Sequence, residues 1–145
     1  MSDFPEFDLE RFTPYRLAVV AQKTSEELAR QYRTRFGISI PEWRVLAHLS
    51  QAGDTPVSVR DIEVRATLEK TKVSRAASRL EKAGYIRKDA NESDGRLVRL
   101  ALTKRGRTLL QDLLPVARDY QIEIETRLGD AFAGFEAGVD RLLSD

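Results

Sequence analysis

The sequence predicts a mainly α-helical chain carrying one small β-hairpin. Three observations carry this: apolar residues recur at three- and four-residue spacing over most of the length, one short stretch alternates with period two, and Gly or Pro signals mark the boundaries. At 145 residues the chain can bury one core but not two comfortable ones, so 1–145 is read as a single domain.

Thr13 before Pro14 reads as a hydroxyl N-cap followed by a proline whose missing N–H costs nothing. Leu17, Val20, Ala21, Thr24, Leu28, Gln31 and Tyr32 continue a long first helix toward Arg35, and Gly37 supplies a left-handed stop. Ser39 and Glu42 form a capping-box pair around Pro41. They open a second helix through Trp43, Leu46, Ala47 and Leu49, which fails at the turn-rich stretch 52–56. Ser58 caps a short third helix with Val59, Ile62 and Ala66. After a break near Thr67, with Thr67 or Glu69 at the new N-terminus, a fourth helix turns Val73, Ala77 and Leu80 inward until Ala83-Gly84 closes it.

Tyr85–Lys88 and Leu97–Leu102 read as two strands around the polar tip Asn91-Glu92-Ser93-Asp94-Gly95, hence a hairpin. Thr103 caps a long helix through Leu109, Leu113, Ala117, Ile122 and Leu128, in which Pro115 is expected to produce a kink or a split. Gly129-Asp130 breaks it, and a last helix carries Phe132, Phe135, Val139, Leu142 and Leu143. No repeat or low-complexity linker is visible.

Composition excludes several functions. There is no cysteine, so no disulfide, thiolate nucleophile or thiol switch, and the single histidine, His48, leaves a zinc site short of ligands. No metal or cofactor is expected. No Gly-rich phosphate loop, nucleophile elbow or histidine–carboxylate set is present, so the chain is not read as an enzyme. No apolar run reaches the roughly 20 residues of a membrane span, and the first residues are acidic where a signal peptide would be basic. A cytoplasmic protein is expected. The net charge of +1 hides a strong asymmetry: residues 60–107 hold fourteen basic and seven acidic side chains, a net +7, and the remainder carries −6. One part of the chain is suited to meet a polyanion.

Two short helices followed by a hairpin make a winged helix-turn-helix, whose second helix enters the major groove of DNA. In a helical projection the face opposite Val73, Ala77 and Leu80 shows Lys70, Thr71, Lys72, Ser74, Arg75, Ser78, Arg79 and Lys82. Small hydroxyls permit close approach and cations reach guanine edges or phosphates. Arg75 and Arg79 are the expected base readers, with Lys72 and Lys82 on phosphates. Arg96 at the hairpin tip is placed to enter a narrow minor groove, and Asp94 to support it.

At these residues the chain resembles the MarR family of regulators. The likeness runs through Trp43-Arg44-Val45-Leu46, Ser58-Val59-Arg60-Asp61-Ile62, Thr71-Lys72-Val73-Ser74-Arg75, Arg79 to Arg87, Asp94-Gly95-Arg96 and Leu100 to Gly106. Glu63 and Thr67 depart from the residues usual there, alanine and glycine. The resemblance implies a homodimeric bacterial transcriptional regulator, expected to be a repressor, on a pseudo-palindromic operator of double-stranded DNA, and so at the nucleoid when bound. It implies an Asp94–Arg96 pairing in the wing. Segments of about 12–36 and 104–145 are then dimerisation helices and about 40–103 the reading head. It also implies a small aromatic or phenolic effector, for which Tyr15, Arg16, Trp43, Arg44 and His48 offer aromatic walls and a carboxylate partner. The alternative is a winged-helix module that binds DNA without sequence preference or makes only protein contacts.

Overall fold

The computed structural model describes residues 3–66, 68–91 and 94–144, and for 90, 91 and 94–97 the backbone alone. After a 3-10 turn at Leu9–Arg11 the order is α1 (Thr13–Phe36), α2 (Ile40–Ala52), β1 (Val57–Ser58), α3 (Val59–Ala66), α4 (Lys70–Lys82), β2 (Ile86–Asn91), β3 (Asp94–Leu102), α5 (Lys104–Leu128), a second 3-10 turn at Gly129–Ala131, and α6 (Phe132–Leu143). The predicted class, helices with a small β wing, is the one observed.

The caps explain most boundaries. Gly37 ends α1 at φ +67, a left-handed conformation that costs glycine nothing. The Glu42 N–H donates to Ser39 Oγ at 3.3 Å, Asp61 N–H to Ser58 Oγ at 3.1 Å, and Gly106 N–H to Thr103 Oγ1 at 3.1 Å, so α2, α3 and α5 begin on their expected hydroxyl caps.

Two expectations need correcting and two others are refined. Thr13 is already helical: the preceding 3-10 turn presents the Phe12 carbonyl to Arg16 N–H at 3.0 Å, so α1 starts without a side-chain cap. At the start of α4, Glu69 takes the N-terminal position expected of it or Thr67, though its side chain makes no cap bond, and Thr67 lies outside the described residues. Of the kink or split expected at Pro115, the split does not occur, since α5 runs unbroken from Lys104 to Leu128. The bond that the proline removes is to the carbonyl of Gln111, and both residues are exposed, so solvent serves that carbonyl. The hairpin strands are also longer than their apolar residues indicate, and β2 pairs antiparallel with β3 from Ile86↔Leu102 to Asn91↔Asp94.

Sequence reading missed β1 altogether. Val57 and Ser58 pair with Leu100 and Arg99 and set the sheet order β1-β3-β2. A two-residue strand has no periodicity to detect.

One core joins these elements: Tyr32 of α1, Val45, Leu46 and Leu49 of α2, Ile62 of α3, Val73, Ala76, Ala77 and Leu80 of α4, Leu100 of β3 and Leu113 of α5. Each fully buried Val, Leu or Ile side chain here contributes about 1.5–3 kcal/mol from water exclusion. Tyr32 packs on Trp43 with ring centroids 4.9 Å apart, and its hydroxyl donates to the Leu113 carbonyl at 3.2 Å. Burial pushes its pKa up to about 12. Farther along the same helix pair, Tyr120 of α5 donates to Glu27 Oε2 at 2.6 Å and Arg127 donates to both Glu27 oxygens at 3.3–3.4 Å. The Tyr120 hydrogen bond first, then Arg127, holds the Glu27 carboxyl below its usual range. These contacts brace α1 against α5.

The core does not extend to the ends of the chain. Of thirteen large hydrophobic side chains that the described residues leave exposed, twelve lie before residue 21 or after residue 121, and α6 buries none of its residues. Leu17 of α1 and Gly134, Phe135, Gly138, Val139, Arg141 and Leu142 of α6 line an open, largely apolar groove of about 400 Å³.

Candidate nucleic-acid interface

The recognition surface is built from α4 outward. Val73, Ala76, Ala77 and Leu80 are buried to 1% exposure or less, which fixes the rotation of the helix. The opposite face must then point to solvent. Lys70, Thr71, Lys72, Ser74, Arg75, Ser78, Arg79 and Lys82 are all exposed, as the helical projection requires. The side chains of Lys70, Lys72, Arg75 and Lys82 make no hydrogen bond or ion pair with other described residues. Their charges are available to a polyanion.

The second half of the helix is tied down. Arg79 Nε donates to Glu42 Oε1 at 3.1 Å, and Glu42, at the start of α2, also accepts from Ser39 Oγ at 2.8 Å. On the other flank, Lys88 of β2 donates to Ser78 Oγ at 3.1 Å and stands 3.8 Å from Glu81. Arg79 is therefore not the unencumbered fork that its place on the helix indicates. Glu42 and Lys88 were not singled out from sequence for this surface. Glu42 lies thirty-seven residues from Arg79 and carried only a capping signature, and nothing local marks Lys88.

The wing begins at a tight joint. Tyr85 N–H donates to the Leu80 carbonyl at 2.9 Å, and Thr103 N–H to the Tyr85 carbonyl at 3.1 Å. Thr103 Oγ1 also donates to the Gly84 carbonyl at 2.6 Å, and Arg105 lies over the Tyr85 ring at 5.1 Å. Asp94 and Arg96 fall on β3, and their side chains lie outside the described residues.

The residues expected to line an effector site do not converge within one chain. Trp43 packs on Tyr32, near the end of α1, whereas Tyr15 and Arg16 are exposed near its start. Seventeen helical residues separate Tyr15 from Tyr32, about 25 Å at 1.5 Å each. Trp43, Arg44 and His48 do cluster on α2. Arg44 Nη1 donates to the Ala66 carbonyl at 3.4 Å, at the end of α3 where helical carbonyls lose their intrahelical partners.

Burial, then the charges of Arg65 and Arg44, lowers the His48 pKa below its ordinary 6.5. Between the lowered value and 6.5 the unfolded chain binds the proton and the folded chain does not, so folding stability falls as pH drops through that window. Urea titrations from neutral pH to about pH 5 should show a steeper loss for the wild type than for His48→Gln. Parallel slopes would remove this role.

Among the described residues no group of three metal-ligating side chains occurs, and no helix is long and apolar enough to cross a membrane.

A family model described as MarR family matches residues 36–97. The HTH-type transcriptional regulator PapX of Escherichia coli is 25% identical over 124 residues, 86% of this chain and 76% of that protein. The HTH-type transcriptional repressor IacR of Pseudomonas putida is 25% identical over 114 residues, 79% of this chain and 66% of that protein. The solved MarR/EmrR family transcriptional regulator from Acinetobacter sp. ADP1 is 30% identical, covers 94% of this chain and 93% of its own, and superposes with a TM-score of 0.72.

Proposed function

The chain belongs to the MarR family of DNA-binding transcriptional regulators, and from that premise we propose that it is a sequence-specific repressor acting as a homodimer on a pseudo-palindromic operator. The observation that supports this reading best is the outer face of α4, where four cations without described partners stand among small hydroxyls on a helix whose other face is locked into the core. Arg75, in the second turn, is the base reader in this reading, because the first turns of a recognition helix enter the groove most deeply. Lys70, Lys72 and Lys82 contact phosphates, Thr71, Ser74 and Ser78 line the approach, and Arg96 enters the minor groove supported by Asp94.

Residues of about 12–36 and 104–145 supply the dimer contact, and about 40–103 the reading head. The apolar side chains left bare at both ends of the chain favour this division, since so much exposed apolar surface is unusual for a monomer. An aromatic or phenolic effector would find Trp43, Arg44 and His48 on one protomer and would need α1 of a second protomer for Tyr15 and Arg16. A regulator of this kind works on the nucleoid, in the cytoplasm.

Selection of bound duplexes from a random pool tests the proposal. The expected product is an inverted repeat with half-site centres about 34 Å apart, one helical turn, and the same selection with Arg75→Ala should lose preference at a single base pair of each half-site. Enrichment of no sequence, with binding that merely weakens as salt rises, would reduce the protein to a non-specific binder.

A further inference from the structure

We infer that Glu42 is a positioning residue for DNA contact: it grips Arg79 by Nε so that the two terminal nitrogens face a backbone phosphate at the rim of the groove. This inference rests on the DNA-binding reading of α4.

Glu42 is mostly buried, with its side chain 12% exposed, while Arg79 remains 53% exposed. The acid is held in place from its own side, because it belongs to the cap of α2: its N–H donates to Ser39 Oγ and its Oε1 accepts from that hydroxyl. Only Nε of Arg79 is engaged, and the Nη1 and Nη2 donors make no hydrogen bond to another described residue. A guanidinium anchored at Nε keeps its terminal pair of N–H donors, the pair that matches two oxygens of a phosphate.

The position on the helix decides what that pair meets. Arg79 is the tenth residue of α4, in its third turn. The base-reading end of such a helix is its N-terminus, so a third-turn side chain lies toward the sugar–phosphate wall. The Lys88 tether to Ser78 and Glu81 ties the same turn of α4 to β2, so the stretch of helix that carries Arg79 is held as well as its Nε.

The alternative is that Arg79 exists only to neutralise a buried acid. The two roles differ in the sign of one measurement. Glu42→Gln removes a negative charge from the DNA-facing side, so electrostatics alone would strengthen binding to any duplex. Positioning instead makes this variant bind a short random-sequence duplex more weakly, by up to roughly fivefold per protomer, because the amide Oε1 still accepts from Arg79 Nε but without the negative charge that tightens the bond. Glutamine preserves the capping geometry at this position. Arg79→Lys is the second variant: it keeps the charge but cannot offer Nε and the terminal pair together, and the expected loss is similar. The double variant Glu42→Gln/Arg79→Gln should bind no worse than Arg79→Gln alone.

Binding is read by fluorescence anisotropy over a salt series, with circular dichroism to confirm folding. Unchanged or tighter binding of folded Glu42→Gln overturns the inference, as does wild-type affinity in Arg79→Lys, the latter even if Glu42→Gln does not fold. Failure of the wild type to bind any duplex at low salt would instead overturn the reading of α4 on which the inference stands.

Discussion

Gly106→Ala is expected to destabilise the protein by about 3 kcal/mol, an overpacking cost plus a disturbed backbone hydrogen bond. A methyl at this position would overlap the Tyr85 carbonyl oxygen and stand 3.0 Å from the carbonyl carbon and 3.2 Å from Leu102 Cδ2. None of these atoms can yield cheaply. The oxygen accepts from Thr103 N–H, and Leu102 is 6% exposed in the core beneath the wing. On surface grounds alone alanine should stabilise the first turn of a helix by up to about 1 kcal/mol over glycine. The two arguments have opposite signs, and the close approach of α5 to the start of the wing decides between them. Thermal unfolding should show the midpoint falling by roughly 10 °C for a chain of this size. A variant that melts with the wild type, or above it, would mean that the joint at Tyr85 is looser than these distances state.

Leu142→Asp is expected to leave the fold of each chain intact and to abolish high-affinity operator binding. Leu142 is 68% exposed, so within one chain the aspartate meets water and loses little packing. In the proposed dimer it introduces a carboxylate into a largely apolar contact twice, once from each copy, and the neighbouring Arg141 cannot restore the apolar burial that the leucine supplied. Two linked reading heads bind a double site roughly 10²–10⁴ times more tightly than one alone, so separation into monomers should cost a factor in that range. Sedimentation would follow the assembly and anisotropy the binding. A variant that stays dimeric moves the interface away from the end of α6. One that becomes monomeric yet binds at full strength contradicts the division into reading head and dimerisation helices.

What was legible in the sequence is what depends on near neighbours. Ser39, Ser58 and Thr103 announce helix starts because a cap acts within three residues, and Gly37 and Gly84 announce turns because they adopt positive φ. The rotation of α4 followed from Val73, Ala77 and Leu80 alone, and with it the outward set of cations and hydroxyls. The structure adds Ala76 to the buried face, too small a residue to weigh heavily in any pattern.

Contacts between distant segments were not legible. The Glu42–Arg79 pair spans thirty-seven residues and the Tyr120–Glu27 bond ninety-three, and no spacing rule connects them. Thr13 looked like a cap because the turn before it leaves no sequence signal, and a split at Pro115 was open because the pattern does not say that Pro115 and Gln111, whose carbonyl loses its partner, lie on the exposed side of the helix. Gly106 appeared only as part of a family resemblance; its reason is a carbonyl oxygen from the far side of the hairpin. The effector residues were grouped by chemistry, and α1 holds two of them apart from the other three by most of its length.

The two-residue strand β1 has a mechanical consequence. It hydrogen-bonds to β3 on one edge while its last residue, Ser58, caps α3, so the root of the wing and the start of the helix-turn-helix share one hydrogen-bonded backbone. Residues 57–102 thus form a cassette whose parts cannot tilt independently at their roots. Any adjustment to operators of unequal half-site separation must come from a hinge outside it, where α1 and α5 carry the cassette. Engineering a new spacing therefore means altering that stem, and engineering a new sequence preference means altering α4 within an unchanged cassette.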